Sequence, residues 1–157
     1  MGKNKLMKFE QNASFKNMVQ FPRTDLLENG LPFKGKWHKD FFKNNQPIVI
    51  ELGCGKGEYT VGLAEKFQNK NFIGVDIKGA RMWRGARTAT DNKMKNVGFL
   101  RTQIELIDHC FSKGEVSEIW ITFPDPQIKY RRRKKRLTSP SMLDKYRCIL
   151  SDDALLH

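Results

Sequence analysis

The sequence predicts an α/β protein with a Rossmann-like, mostly parallel sheet and helices on both faces. Short apolar segments rich in β-branched residues alternate with longer segments of helical periodicity, which is the pattern of a parallel sheet with crossover helices. A glycine-rich turn, residues 53–57, joins the first such strand to the first such helix. Polar or acidic residues follow the next strands, at the end where sheets of this kind bind their ligands.

Four strands and four helices are expected in alternation. Each strand is a short apolar segment bounded by turn residues, as buried parallel strands usually are. The strands are expected at 47–52, 71–76, 97–101 and 116–123. The helices are expected at 59–67, 79–94, 104–111 and 143–150. Residues 151–157 are expected to form a turn and the first residues of a further strand.

The first 45 residues lack this alternation. They are basic and carry turn residues at Asn29-Gly30, Pro32 and Gly35. We expect a poorly ordered arm, followed by a lead-in that packs on the domain and includes a short helix near residues 39–42. The predicted division is therefore an N-terminal arm and lead-in over residues 1–45 and a single domain over residues 46–157.

The charge balance of the chain indicates a polyanionic partner. Among 157 residues, 29 are Lys or Arg and 17 are Asp or Glu, which gives a formal net charge of +12. Nucleic acid is the usual partner of such a protein. An anionic membrane surface is the alternative, but the sequence shows no basic helix with an apolar, lipid-seeking face. No apolar segment is long enough to span a bilayer.

Cysteine and histidine usage predicts no metal site. Cys54, Cys110 and Cys148 are widely spaced and no pair has CxxC spacing, so neither a zinc site nor a disulfide framework is expected. The histidines are scattered, and the first twenty residues lack the apolar stretch of a secretory signal. A reduced, cytoplasmic protein is expected.

The turn from Glu51 to Gly57 has several interpretations, of which a plain turn is the simplest. A P-loop requires Gly-Lys followed by Ser or Thr, and Gly57 follows Lys56, which excludes it. A dinucleotide fingerprint binds pyrophosphate at the start of the helix, where Glu58 would repel it. The remaining pattern, GxGxG preceded by an acid, is the loop of S-adenosylmethionine methyltransferases, whose ligand carries a positive charge and no phosphate.

If the loop binds S-adenosylmethionine, three side chains and two glycines are expected to contact particular parts of that ligand. Glu51 is expected to face the methionine part of the ligand. Asp76, after the second strand, can accept hydrogen bonds from both ribose hydroxyls. Gln103, after the third strand, is expected near the adenine, with a plain surface residue as the alternative. Gly53 and Gly55 would let the backbone approach the ligand closely.

The segment after the fourth strand combines a stiff acidic turn with dense positive charge. Asp125 stands between Pro124 and Pro126, whose rings restrict where its carboxylate can point. Seven of the eight residues from Lys129 to Arg136 are basic. We expect them to bind phosphates by charge, without reading base sequence. A solvated face or a localisation signal is the alternative.

From about Gly35 to its end, the chain resembles the bacterial tRNA (guanine-N7)-methyltransferases. The resemblance rests on ELGCGKGEYT, FIGVDIKGARMW, EIWITFPDPQIK and the basic run ending in KRLTSP. The FPDP turn followed by Lys and by a run ending in Lys-Arg-Leu-Thr is specific to that family, whereas GxGxG is not. The resemblance implies a class I methyltransferase fold and methyl transfer from S-adenosylmethionine to N7 of a tRNA guanine, usually the one in the variable loop.

The resemblance also implies roles for individual residues. Glu51, Asp76 and Gln103 match cofactor-binding positions. Asp125 matches the active-site acid, which also lies beside the cofactor. The positions that contact tRNA are matched by basic residues: Lys129, Arg131, Arg132, Arg133, Lys134, Lys135 and Arg136. Neither a metal nor an obligate protein partner is implied.

The chain departs from the family pattern in three ways. Gln127 stands where the family commonly has a tryptophan, and Gln103 stands where it commonly has an acid, although an amide can still bond adenine. The family also continues past the end of this chain, with a further Asp and a Thr-Asp motif at the substrate site. The chain is therefore expected to be truncated, without the last strands of the sheet and part of the substrate site, and with an exposed sheet edge.

Guanine N7 has a lone pair and no proton, so the chemistry needs little base catalysis. The expected mechanism is alignment of N7, methyl carbon and sulfur, with Asp125 holding the base edge and stabilising the developing charge. Two other functions stay open. Methyl transfer to a protein or small molecule is disfavoured by the basic run. RNA binding without chemistry is kept open by Gln103 and by the expected absence of the C-terminal part.

Overall fold

A computed structural model describes residues 3–157 and contains one six-stranded sheet. The spatial order of the strands is β1-β4-β3-β2-β5-β6, and every neighbouring pair is parallel. The strands are β1 (Met18–Gln20), β2 (Ile48–Leu52), β3 (Asn71–Asp76), β4 (Val97–Arg101), β5 (Val116–Trp120) and β6 (Leu150–Leu156). The α/β prediction with a parallel sheet is confirmed.

Five α-helices and three shorter helices connect and flank these strands. The α-helices are α1 (Lys3–Ser14), α2 (Arg23–Asn29), α3 (Glu58–Lys66), α4 (Gly79–Asp91) and α5 (Pro140–Arg147). A π-helix spans Trp37–Phe42, and 3-10 helices span Ile104–His109 and Tyr130–Lys135.

Several boundaries differ from the sequence prediction, and three of these differences have a local reason. α4 ends at Asp91 because Lys93 adopts a left-handed conformation, with φ of 52°. α5 begins three residues early, at Pro140, a residue that suits the first turn of a helix. β5 ends at Trp120, which pairs with Glu51 of β2. β2 itself ends one residue later, at Leu52, where the chain enters the glycine loop, so β2 offers no further residues for β5 to pair with.

The N-terminal arm is ordered where the structure describes it, so the expectation of a poorly ordered start was wrong there. β1 forms an edge of the sheet, with Val19 beside Leu100 of β4. α1 packs on α4, and the Asn12 side-chain amide donates to the Gly79 carbonyl oxygen at 2.8 Å. The division between an arm and a domain at residue 45 stays a prediction.

Alternate residues of the strands supply two separate hydrophobic cores, one on each face of the sheet. On one face, Ile48 and Ile50 pack in a cluster with Trp37, which is fully buried. On the other face, Phe72 and Phe99 pack with the alanines of α4. Helices therefore cover both faces, as predicted, and hold the ends of the strands in a fixed position.

The opposite edge of the sheet is less covered. β6 pairs with β5 alone within the described chain, and Leu155 and Leu156 of β6 are exposed. The further strand expected near the end of the chain is thus present, and it leaves an accessible sheet edge. The turn expected before it is absent, because β6 already begins at Leu150.

Candidate active site

A cavity opens at the carboxyl ends of the central strands. Because all six strands are parallel, the residues at the carboxyl ends of β2, β3 and β4 lie close together on the same side of the sheet. The cavity has a volume of about 300 Å³ and is lined by Gly53, Asp76 and Gln103. Its remaining walls come from neighbouring residues: Ile77, Thr102, Ile104, Glu105 and Leu137. Three of the predicted site residues are thus brought together.

The glycine loop crosses the edge of the sheet beside this cavity. The backbone N–H groups of Gly53 and Cys54 both donate to the Val75 carbonyl oxygen, at 2.8 and 3.1 Å, so the loop is tied to β3. A Cβ atom added at Gly53 or at Gly55 would meet no atom within 4 Å. The space above these two residues is therefore open to a ligand.

Asp76 is held in place by the backbone around it. Its two carboxylate oxygens accept hydrogen bonds from the N–H groups of Gly55 and Lys78, each at 2.9 Å. The side chain is half-buried. Each oxygen keeps a second lone pair, so the carboxylate is fixed in orientation and can still accept from a ligand.

Glu51 lies behind the loop, outside the lining of the cavity, and is almost fully buried. Burial raises the pKa of its carboxyl group, and the negative charge of Asp76 adds to this effect. Hydrogen bonds from the Thr60 hydroxyl at 2.5 Å and the Thr122 hydroxyl at 2.8 Å act in the opposite direction. A positive charge placed nearby would stabilise the ionised form.

Gln103 has a partner that the sequence analysis did not identify. The Arg23 guanidinium, at the start of α2, donates to the Gln103 side-chain oxygen at 2.6 Å. Thr60 and Thr122 were missed in the same way. The contacts of Thr122 and Arg23 come from elements far away in the sequence, and only the fold brings them together.

Asp125 lies on an exposed turn and does not line the cavity. The turn is anchored three residues earlier by the bond from Thr122 to Glu51. Within the turn, the Asp125 carboxylate accepts from the Gln127 N–H at 3.0 Å, and Gln127 has a left-handed φ of 45°. The structure thus places Asp125 on the side of the sheet where the strands have their carboxyl ends, but outside the cavity that Gly53, Asp76 and Gln103 line.

The basic segment, residues 129–136, follows this turn and includes a 3-10 helix. All eight of its residues are exposed. In the described part of the chain, none of its cationic side chains forms an ion pair with a carboxylate. The segment ends next to Leu137, which lines the cavity and accepts a bond from the Tyr146 hydroxyl at 2.8 Å. Unpaired positive charge therefore begins at the Asp125 turn and ends at the cavity.

Residues 3–157 show neither a metal-binding cluster nor a membrane-spanning helix. They contain no group of three or more His, Cys, Asp or Glu side chains placed to hold a metal ion. None of the described helices is both long and apolar enough to cross a membrane.

The family described as "Putative methyltransferase" matches residues 45–157. A tRNA (guanine-N(7)-)-methyltransferase of Christiangramia forsetii is 59% identical over 155 residues, covering 99% of this chain and 69% of the relative. The protein of the same name from Bacteroides fragilis is 55% identical over 157 residues, covering 100% and 62%. The chain thus spans between 62% and 69% of the length of these curated relatives.

A similar fold occurs in solved structures. The 30S ribosomal A1408 methyltransferase from an uncultured bacterium superposes with a TM-score of 0.59 at 14% identity, over 88% of this chain and 60% of that one. At this identity the likeness concerns the fold alone, and it confirms the Rossmann-like class I methyltransferase architecture.

Proposed function

The chain belongs to the tRNA (guanine-N(7)-)-methyltransferase family, and on that premise we propose that this protein transfers a methyl group from S-adenosylmethionine to N7 of a guanine in tRNA. The target is the guanine of the variable loop. One observation supports this most: Leu137 connects an unpaired basic segment to the cavity that Gly53, Asp76 and Gln103 line. A site for a small cofactor and a surface for a polyanion therefore adjoin each other.

The residues around the cavity fit S-adenosylmethionine. The open space over Gly53 and Gly55 leaves room for a ligand against the backbone. Asp76 keeps lone pairs for the ribose hydroxyls, and Gln103, which lines the same cavity, would contact the adenine. Burial raises the pKa of the Glu51 carboxyl group behind the loop, and the positively charged methionine end of the cofactor would stabilise its ionised form. When bound, the cofactor supplies a methyl group activated on a sulfonium.

Asp125 acts on the guanine by orientation and electrostatics. Guanine N7 carries no proton, so the protein needs only to hold the base in line with the methyl group. The exposed Asp125 carboxylate can accept from the N–H groups of the guanine edge. It also stabilises the positive charge that the purine gains during transfer.

The basic segment holds the tRNA backbone. Its exposed, unpaired side chains bind phosphates by charge and counterion release. The residues concerned are Lys129, Arg131, Arg132, Arg133, Lys134, Lys135 and Arg136. Tyr130, with 75% of its surface exposed, presents an aromatic ring among these charges. Such a combination suits a partly single-stranded region of RNA.

One observation favours a second function, RNA binding without chemistry. Asp125 does not line the cavity, and no other described residue of its turn does. If the turn stays in this position when RNA is bound, the carboxylate does not reach the reacting atoms.

The Asp125→Ala variant separates these functions. We expect methyl transfer to fall by at least about 100-fold, while S-adenosylhomocysteine affinity stays within a few-fold. The measurements are single-turnover transfer of a labelled methyl group and titration calorimetry. Asp125→Asn keeps the shape without the charge and should be intermediate. A variant that transfers methyl groups at the wild-type rate would exclude the role of Asp125. A wild-type protein that binds both ligands without transfer would favour RNA binding alone.

A further inference from the structure

Gln103 separates two cavities. Besides the candidate cofactor cavity of about 300 Å³, a second cavity of about 430 Å³ opens beside it. Three residues form walls of both: Ile77, Thr102 and Gln103. Arg23 lines only the second cavity. Gln103 therefore has the N-terminal lead-in on one side and the predicted adenine position on the other.

The hydrogen bond from Arg23 fixes which end of the Gln103 side-chain amide faces Arg23. The Arg23 guanidinium lies 2.6 Å from the Gln103 side-chain oxygen. A guanidinium has donors only, so its partner must be the amide oxygen and not the amide nitrogen. Within the described chain, the Gln103 side-chain nitrogen has no hydrogen-bond partner. The Gln103 oxygen keeps one lone pair, whereas both N–H groups of the amide are uncommitted, so the end of the amide turned away from Arg23 offers a ligand N–H donors.

Arg23 is supported by a packed element. It begins α2, which packs against the 3-10 helix that starts directly after Gln103, and Leu26 of α2 is buried. At the other end of this contact, the Leu31 N–H donates to the His109 carbonyl oxygen at 2.9 Å. The two elements are thus tied together near both ends, and the Arg23 side chain starts from a fixed position.

We propose that Arg23 is a positioning residue, which makes Gln103 read the adenine by donating to a ring nitrogen. The inference rests on the proposed function, because it takes the ligand to be an adenosyl compound. An acid at position 103 would accept from the exocyclic amine of adenine. An amide whose oxygen is held by Arg23 instead presents N–H, and N1 is the acceptor next to that amine on the same edge.

Three ligands distinguish these two modes of recognition: S-adenosylhomocysteine, its 1-deaza analogue and its 6-deamino analogue. The 1-deaza compound lacks the N1 acceptor, and the 6-deamino compound lacks the amine. Titration calorimetry with the wild-type chain should show a loss of about tenfold for the 1-deaza analogue, the value of one hydrogen bond. The 6-deamino analogue should lose less.

Variants of Arg23 and of Gln103 test whether their hydrogen bond sets this mode of recognition. Arg23→Met frees the amide, so the 1-deaza penalty should shrink severalfold. Arg23→Lys keeps a donor and should retain the penalty. Gln103→Glu should shift the larger penalty to the 6-deamino analogue. The matched control is Arg147→Met, which removes an exposed arginine of α5 that lines neither cavity.

The outcomes separate the inference from the proposed function. A larger penalty for the 6-deamino analogue in the wild type overturns the inference, because the Gln103 oxygen then accepts from the amine. The same follows if Arg23→Met weakens all three ligands equally, since Arg23 would then only support the fold. Folded wild-type chain that binds no S-adenosylhomocysteine overturns the proposed function, and this inference with it.

Discussion

Gly53 and Gly57 lie four residues apart in one turn and meet different surroundings. Both have left-handed backbones, with φ of 78° and 73°. A Cβ at Gly53 would extend into open space, whereas a Cβ at Gly57 would lie 2.4 Å from the Phe99 ring. At Gly53 the missing side chain leaves room for a ligand, and at Gly57 it allows α3 to begin against β4.

Alanine substitutions at these two glycines should therefore affect different properties. Gly53→Ala should cost about 1–2 kcal/mol of unfolding free energy, from the left-handed backbone alone, and weaken S-adenosylhomocysteine binding by at least about tenfold. Gly57→Ala should cost more stability, because the overlap with Phe99 adds about 1–3 kcal/mol. Denaturant titrations and calorimetry measure both quantities. Equal stability losses would contradict the different roles.

Single residues were predictable where their position in the chain decides their place in the fold. Asp76 is the last residue of β3 and Gln103 follows β4. Because the strands of a parallel sheet have their carboxyl ends on the same side, the sequence locates both residues. Arg23 and Thr122 were not predictable, because their importance comes from one contact each with a residue about 70–80 positions away. The geometry of the Asp125 turn relative to the cavity depends on the path of the chain after β5, which no periodicity describes.

At the scale of elements, the basic segment concentrates charge without local neutralisation. All of its residues are exposed, and the described acidic side chains form no ion pairs with it. In an isolated protein these charges repel one another, which destabilises the compact state. A polyanion bound along the segment would remove that repulsion.

Replacing Arg131, Arg132 and Arg133 by Gln should weaken tRNA binding and flatten its dependence on salt. Each lost phosphate contact should lower the slope of log K against log[salt] by about 0.7–0.9. Filter binding at several salt concentrations measures this slope. The control variant also loses three exposed cations, through Lys66→Gln, Lys95→Gln and Lys113→Gln. These lysines lie near the amino ends of strands, on the opposite side of the sheet from the cavity. If both triple variants have the same slope, the basic segment is not the RNA-binding surface.

The central strands and the helices between them were predictable because their apolar periodicity is strong. α1 and β1 were not. β1 has only three residues, and α1 is mostly polar, with few apolar side chains. Such short or polar elements form because a partner surface is present, here α4 and β4, rather than from their own propensity.

At the scale of the whole molecule, the N-terminal residues complete one edge and one face of the fold. β1 buries Met18 and Val19 against β4 and its neighbours. On the covering helix α4, Trp83 donates its indole N–H to the Gln11 side-chain oxygen at 2.7 Å. These contacts cross from the first residues of the chain to the domain.

Deletion of residues 1–20 should therefore lower the unfolding free energy by at least about 3 kcal/mol, since it removes the buried side chains of Met18 and Val19 and exposes the edge of β4. Deletion of residues 1–4 alone keeps β1 and most of α1 and serves as the control. Thermal and urea unfolding followed by circular dichroism measure the change. An unchanged midpoint after the longer deletion would show that the N-terminal residues are separate from the domain.

Nucleoside mass spectrometry tests the proposed activity most directly. Because the chain spans 62% of the Bacteroides fragilis relative, the enzyme used is a hybrid in which that relative supplies the residues outside the match. Unmodified tRNA is incubated with S-adenosylmethionine and the hybrid. We expect new 7-methylguanosine, and almost none when the hybrid carries Asp125→Ala. A folded hybrid that binds the cofactor but forms no 7-methylguanosine would contradict the proposed activity, and one that forms it equally with Asp125→Ala would contradict the role of Asp125.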